Sequence, residues 1–321
     1  MMSSLKLRKK SFSPFRWIVN LAKDILHNPF LYILLFPAML YVIVFSYMAY
    51  PYLIAAFQKF SFRTGIMNSP FVGLDNIKFF FRSPRAAQVT YNTLFLNILG
   101  ISSGTFFAVL FALLFNEVRN KQFAKVAQST FLFPSFISWV IVNYMVYALL
   151  TPNGGMLNSI LISMGLKKVE WYSNPSYWPC ILTIVTVWKK TGMDMIIYLA
   201  TITSLNSELY EAAAIDGAGR FRQAISITLP QIRPVVCVML LLAAGKVFYG
   251  NFDMIYALIG DNGVLYPTTD VIDTYVFRAL RKSADMSQAL AAGVYQSLLG
   301  CLFVFISNKL VRKYYPEGAL F

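Results

Sequence analysis

Histidine is nearly missing from this 321-residue sequence: His27 is the only one. Cysteine is scarce too, with Cys180, Cys237 and Cys301 each set in an apolar stretch and no two in a Cys-x-x-Cys pair. A zinc site or a disulfide framework therefore has little to build on, and the three thiols read as small packing residues. Charge is also short. Only 13% of the residues are Asp, Glu, Lys or Arg, while 57% are hydrophobic; a soluble domain has about 25% and about 45–50% respectively. Too little polar surface remains to coat a water-soluble globule, so the chain reads as an integral membrane protein. The formal charge of +14 is then read as basic residues collected beside a bilayer, and nucleic acid is set aside as a partner.

What the sequence has instead is long apolar runs. A crossing needs ~20 mostly apolar residues, and Asn28 to Gln58, Ala86 to Asn116, Val126 to Leu166 and Met286 to Asn308 contain no charged residue at all. The third run is long enough for one crossing and a loop with the turn signal Pro152-Asn153-Gly154-Gly155. Two further segments, about Tyr177 to Ile202 and Pro234 to Ile259, are apolar but carry Lys189, Lys190 and Asp194 in one, and Lys246 and Asp253 in the other. The expected fold is all-α, with six transmembrane helices. The first apolar run is about twice a signal peptide's ~7–15-residue core and has no small-residue cleavage site after it, so it reads as a retained helix.

Fifteen of the 28 basic residues fall on one set of connecting segments, at Lys6, Arg8, Lys9, Lys10, Arg16 and Lys23, then Arg119, Lys121 and Lys125, then Arg220, Arg222 and Arg233, then Lys309, Arg312 and Lys313. The positive-inside rule puts these segments, and both termini, in the cytoplasm. The expected organisation is a basic N-terminal segment (1–27), a first helix with its outer loop (28–85), a five-helix core (86–313) and a cytoplasmic tail (314–321). No internal repeat or low-complexity tract is visible.

The inner segment 203–233 carries the most information. From Glu211 it reads EAAAIDGAGRFRQAISITLP, ending at Pro230. Ser207 can cap a helix with Glu208 and Glu211 in its first turn, where acids suit the positive end of the helix dipole. Ala212, Ala213 and Ala214 favour helix and leave its surface bare enough for another backbone to approach. Gly217 and Gly219 can supply the positive φ that ends it. Arg220 then starts a second helical stretch, closed at Leu229-Pro230. An amphipathic connector lying in the headgroups is the plain alternative, but the acids at 208, 211 and 216 suit a protein partner better than an anionic membrane.

Glu211-Ala212-Ala213, Gly217 six residues after the Glu, and Ile227-x-Leu229-Pro230 together resemble the EAA loop of the membrane subunits of bacterial ABC importers. The resemblance extends from about Phe30 to Arg312. Phe71 to Asn76 (FVGLDN), Leu114 to Val118 (LFNEV), Phe133 to Trp139 (FPSFISW) and Ile197 to Ala200 (IYLA) look like the branch that carries complex oligosaccharides and polysaccharide fragments. The resemblance implies that the loop docks in a cleft of a cytoplasmic ATPase subunit. Glu211 would be the polar anchor, Ala212 and Ala213 the close-packing surface, and Asp216, Gly217, Ala218 and Gly219 the turn before Leu229 and Pro230. It also implies a second, related permease chain, an ATPase dimer, an extracytoplasmic solute-binding protein, and a place in the bacterial plasma membrane with lipid around it. ATPase closure would switch a cavity from inward-facing to outward-facing. Since the chain has no phosphate-binding G-x-x-x-x-G-K-[ST], it is expected to hold no cofactor, with ATP and Mg bound by the ATPase subunits.

Charges inside the spans point to the cavity. A Lys or Asp at a helix centre costs ~2.5–3.5 kcal/mol on translocon scales, so such residues should face protein or water. Lys246, Tyr249 and Asp253, at i, i+3 and i+7, are expected on one face of span five; Lys190 and Asp194 can pair across one turn of span four. Internal ion pairing accounts for these charges as readily as a cavity lining does. If they line a cavity, Asn143, Tyr144, Tyr147, Trp188, Lys189, Asn251 and Gln296 would supply the aromatic faces and hydrogen bonds a sugar needs, and three lysines against two aspartates would suit an acidic one such as a uronate oligomer. Phe79 to Phe81 and Tyr314-Tyr315 read as interface belts or loop packing. A secondary transporter would show internal repeats, discontinuous helices and a coupling-ion site, and would leave the EAA-type loop unexplained. A membrane enzyme would need a convergent nucleophile, base or metal, which a single histidine and scattered acids do not supply.

Overall fold

The computed structural model describes residues 23–314. The basic segment before residue 23 and the tail after Tyr314 lie outside them, as does the side chain of Tyr314. Among the described residues the fold is all-α, with one isolated bridge between Gln58 and Phe71. The chain divides into residues 1–54 and 55–321. The first unit contains α1 (Pro29–Phe45), an uncharged helix with Pro37 inside it. It runs into a 3-10 helix, Tyr47–Phe57.

The second unit is built on α3 (Pro84–Asn116), preceded by the short α2 (Asp75–Arg82). Pro84 occupies the first turn of α3, where its missing N–H costs nothing, and the Ser83 side chain accepts from Arg85 N–H. Thirty-three residues make about 50 Å of helix, more than the ~30 Å hydrocarbon core. Along it packs α7 (Trp178–Thr203). Small buried residues on α3, Gly104, Ala108 and Ala112, let the two backbones approach, and Met195, Tyr198, Leu199 and Ile202 of α7 fill that seam. A second cluster joins Val142, Val146 and Leu150 to Trp178, Leu182 and Val185, and to Met254, Ile255, Leu258 and Ile259. A third sets Phe80 against Val89, Ile272 and Ala292, with Tyr275 edge-on to its ring and Tyr295 tilted against it. Of the Phe79–Phe81 triplet, only Phe80 is therefore core; its two neighbours are exposed.

Four helical stretches are long and apolar enough to cross a membrane: Pro29–Phe57, Pro84–Asn116, Arg220–Ala244 and Met286–Lys313. A bent pair, α4 (Lys121–Phe136) and α5 (Trp139–Leu150), which meet at 98°, is long and apolar enough only when its two helices are taken together, so the described residues hold four or five such spans. Pro134 lies in the last turn of α4, and the Ser138 side chain caps α5 by accepting from Ile141 N–H. The sequence reading of one crossing within 126–166 missed this bend, because an uncharged run carries no mark of direction. A short α6 (Met156–Ser163) follows.

Span five also departs from expectation. Helix α10 (Leu229–Ala244) stops at Gly245, and a new helix, α11 (Phe252–Ile259), starts only after Asn251. Lys246 and Tyr249 are thus in an irregular break, and Asp253 is in the first turn of α11. The three do not share a helical face. After α11 come α12 (Tyr266–Thr269), α13 (Ile272–Ser283) and the long α14 (Met286–Tyr314). The cysteines correct another expectation. All three are free thiols, but Cys180 and Cys301 are exposed on the chain and only Cys237 is partly covered. Their apolar surroundings in sequence mark the outer surface of helices, not the interior.

Candidate coupling loop and translocation cavity

The segment after α7 forms a helix, a turn and a second helix. The first, α8 (Ser207–Ile215), is capped by Asn206, whose side chain accepts from Glu208 N–H at 3.0 Å; the cap lies one residue before Ser207. It ends in a six-residue glycine cap. Ala218 N–H donates to Ala213 O at 2.8 Å, Gly217 N–H to Ala214 O at 3.1 Å, and Gly217 takes φ +78°. Gly219, at φ −67°, precedes α9 (Arg220–Gln223) as its cap and needs no glycine freedom. The second stretch does not end at Leu229-Pro230. A π turn, Ala224–Thr228, carries it into α10, with Leu229 N–H bonded five residues back to Ala224 O, so Pro230 sits in the first turn of the next segment.

The turn is braced from inside. Tyr210 and Thr228 hydroxyls lie 2.9 Å apart, and Gln223 Nε2 donates to Ala218 O at 2.9 Å. Arg220 pairs with Glu117, at the end of α3, at 2.8 Å. Outside, Glu211, Ala212, Asp216 and Gly217 are exposed. So are Ile215 and Phe221, at 88% and 80%. Sequence reasoning passed over these two; two large apolar side chains beside the glycine turn were the available signal.

A cavity of about 460 Å³ lies among α3, α7, α10 and α11. Lys190, Asp194, Lys246 and Asn251 line it, with Asn97 and Tyr198. Lys190 and Asp194 share its wall, and no ion pair joins them among the described residues. The other candidates stand elsewhere. Lys189 is 8% exposed and turns into the α4–α5 bend. There its ammonium donates to Pro134 O at 3.1 Å, to Ser135 O at 3.0 Å and to Ile137 O, and lies 5.1 Å from the Trp139 ring centroid. Four carbonyls at a helix end lack partners within the helix, and this buried cation supplies three bonds at that end. Ser135 returns a bond to Lys189 O at 2.8 Å. Gly192 completes the contact: a Cβ there would fall 1.9 Å from Phe131 O. Trp188 lies in a separate apolar groove with Phe107, Phe111 and Phe131. Asn143 and Tyr144 of α5 are not in the cavity wall, and Tyr147 packs on Tyr172 at 5.8 Å.

The break between α10 and α11 explains why Lys246 and Asn251 reach the cavity. Irregular backbone shielded from water must find its hydrogen bonds within the protein. Asn97 Nδ2 donates to Val247 O at 2.8 Å and Tyr249 O at 3.0 Å. Gln296 Nε2 donates to Phe248 O at 2.8 Å, and Asp273 accepts from Gly250 N–H at 2.5 Å. The Asn251 side chain caps α11 by accepting from Met254 N–H. Burial raises the Asp273 carboxyl above its ordinary value, while the Gly250 N–H and the Gln296 amide pull it down. Gln296 is thus part of a backbone clamp, and Tyr249 hydrogen-bonds Ser297 at 3.3 Å. Asn97 and Asp273 were not singled out in the sequence. Among the described residues no group of three His, Cys, Asp or Glu could hold a metal.

Comparison with known proteins identifies the family. Residues 86–314 match the family described as binding-protein-dependent transport system inner membrane component. The polygalacturonan/rhamnogalacturonan transport system permease protein YteP of Bacillus subtilis is 34% identical over 92% of this chain and 91% of its own. Protein LplB of the same organism is 32% identical over 94% and 93%. Among solved structures, a bacterial ABC transporter involved in import of the acidic polysaccharide alginate superposes with a TM-score of 0.84 at 33% identity, covering 92% of this chain and 99% of that one. A bacterial alginate ABC transporter in complex with an alginate pentasaccharide-bound periplasmic protein gives 0.82 at 33%, covering 91% and 97%. The broken spans would fit a secondary transporter by themselves, but the match over 86–314 decides between the two classes. This chain belongs to the family of inner-membrane components of binding-protein-dependent transport systems.

Proposed function

We propose that the chain is one permease subunit of an ATP-driven importer for an acidic oligosaccharide such as a uronate oligomer. The observation that carries the substrate charge is Lys190 and Lys246 on the wall of one cavity whose lining holds a single carboxylate, Asp194. A uronate offers one carboxylate per residue for these ammonium groups and hydroxyls for Asn97 and Asn251. Relatives named for polygalacturonan and alginate support the same class. A cavity of about 460 Å³ is small for an oligosaccharide, so a second, related permease chain closes the pathway from the other side.

In this reading α7 is the sixth span, its Lys189 and Lys190 facing protein and not lipid. Both termini and the 203–233 loop are cytoplasmic, and the exposed face at Glu211, Ala212, Ile215 and Phe221 enters an ATPase subunit. The ATPase dimer binds ATP and Mg; this chain holds no cofactor. A solute-binding protein delivers the sugar to the opposite face. In the reconstituted complex, Lys190→Ala/Lys246→Ala should depress uptake of an acidic oligosaccharide about tenfold more than of a neutral one of equal length, a difference of about 1.4 kcal/mol. Equal loss for both would reject the charge reading.

A further inference from the structure

Asp273 stands one residue inside the start of α13 and joins two other elements. Its Oδ2 accepts from Gly250 N–H at 2.5 Å and from Gln296 Nε2 at 2.9 Å, and the same Nε2 reaches Phe248 O. The contact has no slack: a Cβ on Gly250 would lie 2.8 Å from that Oδ2 and 2.7 Å from Val271 Cγ2. On either side of the clamped residues are Lys246 and Asn251, the polar wall of the cavity. At the far end of α13, Ser283 and Ala284 line a polar groove of about 700 Å³ with Lys59, Lys78, Arg82 and Asp285. The topology proposed above places that groove on the face where a binding protein arrives.

We propose that α13 is a strut between this groove and the cavity, with Asp273 the positioning residue that fixes its inner end to the α10–α11 break. Engagement of the outer groove is then felt at Lys246 and Asn251, because a helix clamped at its inner end carries a displacement of its outer end to that clamp. The inference rests on the importer reading only for the existence of a binding protein. The importer reading fails if the wild-type complex shows no stimulation by its loaded binding protein. The strut fails if the wild-type complex is stimulated and the variants either keep that stimulation or lose basal and stimulated rates in proportion.

The test is ATPase activity of the reconstituted complex, with and without loaded binding protein. Asp273→Ala should assemble, keep its basal rate and lose about tenfold of the stimulated rate, within the range of allosteric couplings. Asp273→Asn, which keeps an acceptor oxygen for both donors, should restore most of it. Gln296→Ala removes the bond to Phe248 and one to Asp273 and should behave as a milder Asp273→Ala, which preserves the test if the latter does not assemble. Full stimulation in Asp273→Ala, or in Gln296→Ala where the former fails to assemble, overturns the proposal. So does a proportional loss of basal and stimulated rates that Asp273→Asn does not restore.

Discussion

The 207–230 loop and the 245–251 break are both interruptions between helices, yet they are built in opposite ways. The loop is local: its cap, its glycine turn and its Tyr210–Thr228 and Gln223–Ala218 braces all come from within the segment. The break is satisfied from a distance, by Asn97 of α3, Asp273 of α13 and Gln296 of α14. A segment that satisfies its own backbone can present its remaining side chains to a partner. One that depends on three other elements is instead fixed in place, and what it offers is position. The first design suits a plug for another subunit and the second suits a cavity wall.

The largest effect that would separate the two regions is expected at Glu211. Its side chain is exposed and makes no ion pair among the described residues. Glu211→Lys should leave folding intact and weaken co-purification with the ATPase at least about 30-fold, the ~2 kcal/mol of an interface hot spot. Unchanged co-purification would mean that the exposed face is not the docking face.

This difference also decides what could be read without a structure. The loop's helix, turn and exposed acid were legible because each depends on neighbours in sequence; the cap, one residue early, the place of Glu211 beyond the first turn, the ordinary φ of Gly219 and the continuation past Pro230 differed. The break was not legible. Gly245 and Gly250 stand in an apolar run that continues on both sides, and the groups that make an unwound backbone tolerable there lie about 150 residues before it at Asn97 and about 50 after it at Gln296. Lys189 and Lys190 show the limit most plainly. Adjacent in sequence, they point about 100° apart around the helix, and only packing tells that the first closes a bend while the second lines a cavity.

That pair gives the next sharpest contrast. Lys189→Met removes three bonds to carbonyls at a site where water does not substitute, which should cost about 3 kcal/mol of stability. Thermal unfolding of the purified complex should show it as a melting temperature several degrees lower. Lys190→Met, on the open cavity wall, should leave that temperature almost unchanged and alter uptake of acidic substrate instead. Equal melting temperatures for the two variants would mean that Lys189 does not hold the bend.

The smallest expected effect lies where the local loop touches a distant helix. Glu117 follows the last turn of α3, the negative end of that helix's dipole, where an acid is unfavourable. Arg220 offsets it through the 2.8 Å pair, but the two side chains are 42% and 56% exposed, so solvent screens the attraction. A double-mutant cycle with Glu117→Ala and Arg220→Ala should give a coupling of about 0.2–1 kcal/mol, smaller in high salt. Since α3 lines the cavity and Arg220 begins the stretch leading into α10, the cycle should be measured on coupled transport as well as on stability. A coupling in transport well above that in stability would mean that the loop is less self-contained than its internal bonds imply, and that Glu117 is a point where its movement reaches the cavity wall. Equal values would leave the pair as a surface contact and the division between plug and wall intact.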